Sequence, residues 1–165
     1  IGTFPYEFRG FLGYRNFFIA DETGKKIVRA NSLWTLMNVR EGRPAKPTRE
    51  MLEAYQLEEK LDMEYEPRKI RFEREGERHP AFYVGKQHLD SNHHVNNGQY
   101  IHMAQDYLPE GFEIGQMRAE YKKSALLNDV LVPEAFAEEN RVGVSLCSEA
   151  GEPYAIVEFR RKTRG

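Results

Sequence analysis

Cysteine occurs once in the 165 residues, at Cys147, so no disulfide can form within the chain. The same scarcity removes every C-x-x-C and zinc-knuckle spacing, and it fits a reducing compartment. No apolar run approaches the ~18 residues a membrane helix needs, so no membrane span is expected. Neither sign of charge prevails. Lys and Arg number 24, Asp and Glu 26, and the net charge is −2. A global basic field of the kind that draws nucleic acid is therefore excluded. The sequence opens at Ile1 rather than at a methionine. That leaves room for an upstream segment and for a targeting signal within it. The length suits one ordinary domain or two very small ones.

What is present points to sheet. Hydrophobic residues make up 40% and aromatics 12%, mostly Phe and Tyr. The aromatics concentrate in segments that alternate as strands do, which predicts a sheet-rich fold with few helices. Phe11 to Ala20 reads as a strand. In the next, Val28, Ala30, Ser32, Trp34 and Leu36 share one face by the period of two. Between them Asp21-Glu22-Thr23-Gly24 is a turn signal, with Gly24 supplying a positive φ, so the pair reads as a hairpin. Arg40 to Pro47 is loop-like. Thr48 can cap a short helix carrying Met51, Leu52 and Tyr55. The charged stretch Glu58 to Arg78 reads as a solvated connection running into an exposed strand.

Ala81 to Gln87 is expected as a short strand. Asn97 to Leu108 has the i, i+3, i+4 spacing of one buried helical stripe, through Tyr100, Ile101, Ala104, Tyr107 and Leu108. Pro109 and Gly111 end it. Strands are predicted at Gln116 to Lys123 and Asp129 to Ala137, and a last hairpin pairs Arg141 to Ser148 with Tyr154 to Lys162. The two hairpins resemble each other, with turn glycines Gly24 and Gly151 set 151 − 24 = 127 positions apart. An internal repeat on this spacing would place the first copy's matching helix before Ile1. Two unrelated hairpins sharing a glycine turn is the plain alternative. The expected organisation is therefore residues 1–66, the end of a first unit plus linker, and residues 67–165, a complete second unit. An unaccompanied first hairpin would expose Phe17, Trp34 and Leu36, which predicts self-association.

The informative stretch is His88-Leu89-Asp90-Ser91-Asn92-His93-His94-Val95-Asn96-Asn97. Asp90, Asn92 and His94 are spaced by two. In an extended segment all three would point to one face, with neighbours ~6–7 Å apart. A helix begins directly afterwards, and its free N–H groups at Asn96, Asn97 and Gly98 would face the same region. This suits acyl transfer to water. Asp90 supplies a base or nucleophile, Asn92 a hydrogen-bonding clamp, and His94 an orienter or proton carrier. Helix amides can hold an oxyanion. A thioester asks for little more, because a thiol of pKa ~8.5 leaves without a strong general acid.

Plainer readings stand beside this one. Asn96 or Asn97 can be an ordinary helix cap. The Asp-x-Asn-x-His pattern can be purely structural. His88, His93 and His94 lack the helical i, i+4 spacing of a zinc hydrolase, so no metal is expected.

The decapeptide, with Tyr100-Ile101 beyond it, resembles the signature of the fatty acyl-acyl-carrier-protein thioesterases. Gly10-Phe11, Arg15-Asn16-Phe17 and Ile19-Ala20-Asp21 resemble that family's first-half strand. Arg29 to Trp34, Gly42-Arg43-Pro44 and Glu120-Tyr121-Lys122-Lys123 follow in order. The resemblance implies an α+β hotdog fold, as a tandem double hotdog whose first repeat is incomplete at its N-terminus in this sequence. It implies hydrolysis of fatty acyl thioesters on acyl carrier protein, with Asp90, Asn92 and His94 catalytic and no cofactor. The alternatives are an acyl-CoA thioesterase and a non-catalytic acyl-binding hotdog module. After Tyr121 and two basic residues, plant members carry Glu then Cys, where this chain has Ser124 and Ala125. A cysteine nucleophile is therefore absent at that position, Ser124 is left as a secondary candidate, and the substitutions resemble the bacterial branch. The expected location is cytoplasmic, or the plastid stroma for a plant source. An acidic carrier protein needs a basic dock. The candidates are Arg68, Lys69 and Arg71, and Lys122 with Lys123. A homodimer is a further expectation.

Overall fold

The computed structural model describes residues 1–73 and 75–163. They fall into two compact units, Ile1–Glu66 and Pro67–Gly165, the last two positions of the second lying outside the described residues.

The first unit contains a strand that the reading from Phe11 onward omits. Phe4, Tyr6 and Phe8 alternate, and β1 runs from Gly2 to Arg9. It pairs antiparallel with β2 (Leu12–Ala20), which pairs with β3 (Lys26–Thr35). The expected turn joins β2 to β3. Gly24 has φ +84°, its N–H reaches the Asp21 carbonyl at 3.0 Å, and the Asp21 N–H reaches the Lys25 carbonyl at 3.0 Å. The face through Val28, Ala30 and Trp34 lies open to solvent. Arg40 to Pro47 is not wholly irregular: β4 (Met37–Asn38) and β5 (Arg43–Pro44) form a two-residue ladder. Thr48 caps α1 (Arg49–Glu53), its hydroxyl accepting the Met51 N–H at 3.2 Å. Fully buried Asn16 fixes the chain beyond. Its Oδ1 accepts from the Leu61 N–H and the Tyr65 hydroxyl, both at 3.0 Å, and its Nδ2 donates to the Ala30 carbonyl at 3.1 Å. A buried amide with this many partners has its desolvation offset.

The second unit is a helix against an antiparallel sheet. β6 (Glu77–Arg78) and β7 (Phe82–Tyr83) are short. The helix α2 spans Asn97–Gln105. Then come β8 (Ile114–Tyr121), β9 (Val130–Ala137), β10 (Arg141–Cys147) and β11 (Pro153–Arg161), in the sheet order β6-β9-β10-β11-β8, with β7 also on β9. The strand expected over Ala81 to Gln87 stops at Tyr83. Gly85 turns the chain into a short 3-10 helix at Lys86–His88, with the Gly85 N–H on His88 Nδ1 at 3.0 Å. The helix expected to reach Leu108 ends its α-geometry at Gln105. The Tyr107 and Leu108 N–H groups tighten onto the carbonyls three residues back. Tyr100, Met103 and Ala104 of α2 bury against Val144, Leu146 and Val157 of the sheet.

The opposite face of this sheet is also covered. The segment 67–72 lies along it as a strap. Phe72 sits where Gly143 has no side chain: a Cβ there would stand 1.9 Å from the ring. Phe72 stacks on Phe136 with centroids 4.4 Å apart, and the Arg141 guanidinium lies over the Phe72 ring, 4.8 Å from its centroid. This double covering explains why β10 is buried continuously from Val142 to Cys147.

The two hairpins match in more than their glycines. Gly151 has φ +83°, and the Gly151 N–H to Ser148 carbonyl and Ser148 N–H to Glu152 carbonyl bonds reproduce the turn at Asp21. The register repeats as well. Ile19↔Val28 matches Leu146↔Ala155, and Ala20↔Lys26 matches Cys147↔Pro153, with a bulge between the same two pairs. Each position is displaced by the 127 that separates the glycines. A shared turn alone is common in hairpins. A shared turn, bulge and register favours the internal repeat.

Candidate functional site

The signature does not run as an extended strand. Asp90 to His94 closes into a tight turn. The Asp90 N–H donates to the His94 carbonyl at 2.8 Å, and the His93 N–H donates to the Asp90 carbonyl at 3.0 Å. His93 takes a left-handed φ of +61°. Leu89 and Val95 pair across the base, where the Asn96 N–H meets the His88 carbonyl at 2.9 Å. The spacing of two therefore does not place Asp90, Asn92 and His94 on one strand face, and that geometric expectation is corrected. The reason is local. Asp and Asn bond readily to nearby backbone, which favours turns over strands.

Asp90 makes the turn with one oxygen. Its Oδ1 accepts the Asn92 N–H at 2.8 Å and the His94 N–H at 3.3 Å. Among the described residues nothing bonds to its Oδ2, and the residue is half-buried. Asn92 and His94 are exposed, and it is their backbone N–H groups that reach Asp90. His88, two residues upstream, has a structural role through the Gly85 N–H already described.

The helix N-terminus also departs from expectation. Asn96 caps α2, with Oδ1 accepting the Gly98 N–H at 2.8 Å and its carbonyl accepting the Gln99 N–H at 2.9 Å. Gly98 therefore has no free amide to offer an oxyanion, and Asn96 acts as a cap. The Asn97 N–H is the first-turn donor without a partner among the described residues.

A strip of loop holds this turn in place. The Val95 N–H donates to the Ala125 carbonyl at 2.9 Å, and His94 bridges Leu126. Ser124 and Ala125 thus lie alongside the signature, Ser124 exposed and Ala125 fully buried. Two core tyrosines support the strip, and a third supports the start of α2. Tyr100 accepts the Ala125 N–H on its hydroxyl at 2.8 Å. Tyr154 donates to Asp129 Oδ2 at 3.1 Å, an oxygen that also accepts the Leu126 N–H at 2.9 Å. Tyr121 donates to the Asn97 carbonyl at 3.1 Å. Burial is the main cause that raises each phenol pKa, so all three are neutral donors or acceptors near pH 7. The sequence signal for Tyr100 was its place in the helical stripe. Its partner lies 25 residues away, beyond what periodicity can read.

The two basic candidates separate. Lys122 and Lys123 sit at the start of the Ser124 strip, both N–H groups on the Tyr154 carbonyl, and both are exposed. Arg68, Lys69 and Arg71 are exposed on the strap, on the far face of the sheet from α2. A separate apolar cavity of about 510 Å³ lies in the first unit, lined by Phe8, Phe11, Trp34, Leu36, Met51 and Tyr55 among others, and by none of the signature residues. No described helix is long and apolar enough to cross a membrane.

Residues 1–55 match the family described as acyl-ACP thioesterase N-terminal domain. No curated protein sequence matches the chain. Among solved structures, an acyl-ACP thioesterase from Bacteroides thetaiotaomicron VPI-5482 superposes with a TM-score of 0.83 at 22% identity, covering 97% of this chain and 67% of that one. The 12:0-ACP thioesterase from Umbellularia californica does so with a TM-score of 0.79 at 19% identity, covering 98% and 66%. The chain thus spans about two thirds of each. At these identities the likeness establishes the fold: α+β, in the hotdog arrangement of helix and antiparallel sheet. The resemblance read from the signature is met by a family match over the first third and by the fold over nearly the whole length.

Proposed function

We propose that this chain hydrolyses fatty acyl thioesters carried on acyl carrier protein, with Asp90 activating the attacking water. The family match over residues 1–55 and the shared fold support thioester hydrolysis. The observation that carries the assignment to Asp90 is the division of labour between its two oxygens. Oδ1 is fixed by the Asn92 and His94 N–H groups, and Oδ2 is left to meet water. A carboxylate locked by its own turn is a preorganised base.

The step balances simply. Asp90 Oδ2 takes a proton from water as the water oxygen bonds to the thioester carbonyl carbon. The carbon–sulfur bond then breaks, and the leaving thiolate recovers the proton. The thiolate leaves readily because its conjugate acid has a pKa of ~8.5. Asn92 and His94, exposed on the same turn, orient the carbonyl and the water. The Asn97 N–H, a first-turn donor of α2 without a partner among the described residues, would serve the developing oxyanion. No cysteine nucleophile is involved, since Ala125 stands at the position in question and Cys147 is buried in β10.

The deciding experiment is single-turnover hydrolysis of a fatty acyl-ACP thioester by wild type and Asp90→Asn. Asparagine retains Oδ1, so the turn keeps the acceptor shared by the Asn92 and His94 N–H groups and the fold is preserved. The rate constant should fall by at least ~10²-fold. Near-normal hydrolysis by the folded variant refutes the role of Asp90. A matched acyl-CoA substrate run beside it tests the carrier. Equal rates on both would favour a general thioesterase, and no turnover on either an acyl-binding module.

A further inference from the structure

We propose that Tyr100 is a positioning residue for this site, acting through Ala125 on the turn that carries Asp90 and His94. The proposal rests on the hydrolytic reading of the signature for its catalytic consequence, and on geometry alone for the mechanical link.

The strip after β8 has left the sheet ladder. The Lys122 and Lys123 N–H groups share one acceptor, the Tyr154 carbonyl, and beyond them strand pairing with β11 ends. Side chains take over as acceptors. The Leu126 N–H goes to Asp129 Oδ2, and the Ala125 N–H goes to the Tyr100 hydroxyl at 2.8 Å. Ala125 has no exposed surface and Tyr100 only 2%. No solvent is at hand to replace that acceptor, and a buried amide without one is costly.

Ala125 then transmits the position. Its carbonyl accepts the Val95 N–H at 2.9 Å, and Val95 follows directly on His94. The His94 carbonyl accepts the Asp90 N–H, and the His94 N–H returns to Asp90 Oδ1. A phenol in the core of the helix–sheet layer is thus three hydrogen bonds from the base. Without its oxygen the Ala125 amide must turn toward another acceptor, and the turn moves with it. Shifts of about 1 Å at a site of this kind can cost ~10²-fold in rate.

The test compares Tyr100→Phe with wild type in single-turnover hydrolysis of a fatty acyl-ACP thioester. Phenylalanine keeps the ring packed and removes only the oxygen. The rate constant should fall about 10- to 100-fold, while substrate affinity changes by less than about twofold. Tyr107→Phe is the control: it lies just past the same helix, its ring against His79, and the rate should be unchanged. Amide hydrogen exchange is read in parallel. Ala125 and Val95 should exchange faster in Tyr100→Phe while Val157, in the sheet, keeps its protection. Unchanged exchange at Ala125 and Val95 overturns the proposal whatever the activity. Equal loss of protection at Val157 marks a general loss of stability and also overturns it, as does a rate within about twofold of wild type. A wild type without hydrolysis but with the expected exchange pattern overturns the hydrolytic reading and leaves the mechanical link standing.

Discussion

Arg118 and Glu158 face each other across the β8–β11 ladder, with Nη1 3.1 Å from Oε1 on a carboxylate that has no exposed surface. Two further arginines meet the same group, Arg141 through Nε at 2.6 Å and Arg160 through Nε at 3.3 Å. Arg118 and Arg141 also reach outward, to the carbonyls of Pro67 and Arg71. One buried anion therefore organises the cations that hold the strap. Glu158→Gln should destabilise the second unit by about 3 kcal/mol, because it leaves a set of partly buried guanidinium groups without their counter-charge. Urea unfolding followed by circular dichroism measures it. A change under about 0.5 kcal/mol would show that the cluster is no more than a surface ion pair.

Charge reversal separates the two basic candidates for carrier docking. Lys122 and Lys123 adjoin the strip beside the signature, whereas Arg68 and Lys69 ride on the strap across the sheet. Lys122→Glu with Lys123→Glu should raise KM for an acyl-ACP substrate by about 10-fold at low salt and leave a small thioester unaffected. Arg68→Glu with Lys69→Glu should leave both substrates unaffected. The reverse ranking would move the dock to the strap.

Burial pushes the Cys147 thiol up to about 11, helped by the negative charge of Glu134. The folded state therefore favours the neutral thiol. Its contribution to stability is complete below the ordinary value of 9.0 and is lost as the pH rises toward about 11. Urea midpoints taken from pH 8 to 11 should fall over that window, and Cys147→Ala should remove part of the fall. A slope identical in the two proteins would mean the thiol is not the titrating group.

Trp34 is the single tryptophan and is 58% exposed on β3, on the same strand face as Val28 at 48%. Apolar surface of this kind invites self-association, the proposed homodimer being one form of it. Intrinsic fluorescence should shift to the blue as protein concentration rises, and Trp34→Lys should hold the protein at its dilute mass in light scattering. A spectrum independent of concentration argues against association through this face.

Hairpins and turns were legible in the sequence because their determinants are local. Asp21 through Gly24 and Ser148 through Gly151 carry their own acceptors and their own positive-φ glycine. Thr48 and Asn96 announce helix starts by the same local chemistry. The stripe of α2 was readable, and Tyr100 stood in it. What the sequence did not reveal depends on partners far along the chain. Asp90, Asn92 and His94 look like a strand by spacing, yet the Asp90 carboxylate bonds more favourably to amides two and four residues ahead than a strand would allow. Gly98 looked like an open donor until Asn96 was seen to cap it. The charge between Glu58 and Arg78 looked like a solvated connection. Part of it is a strap whose Phe72 needs Gly143, seventy-one positions downstream, to make room.

That strap also sets an order of events during folding. Each hairpin closes over a five-residue turn, and such hairpins form in about 1–10 μs. The strap's anchors are of another kind. Pro67 waits for Arg118 and Arg71 for Arg141, 51 and 70 residues away, and neither guanidinium is in place until β8, β10 and β11 have assembled. Entropy of loop closure and the need for a finished sheet both delay this step. Seating residues 67–72 should therefore follow assembly of the sheet in the second unit.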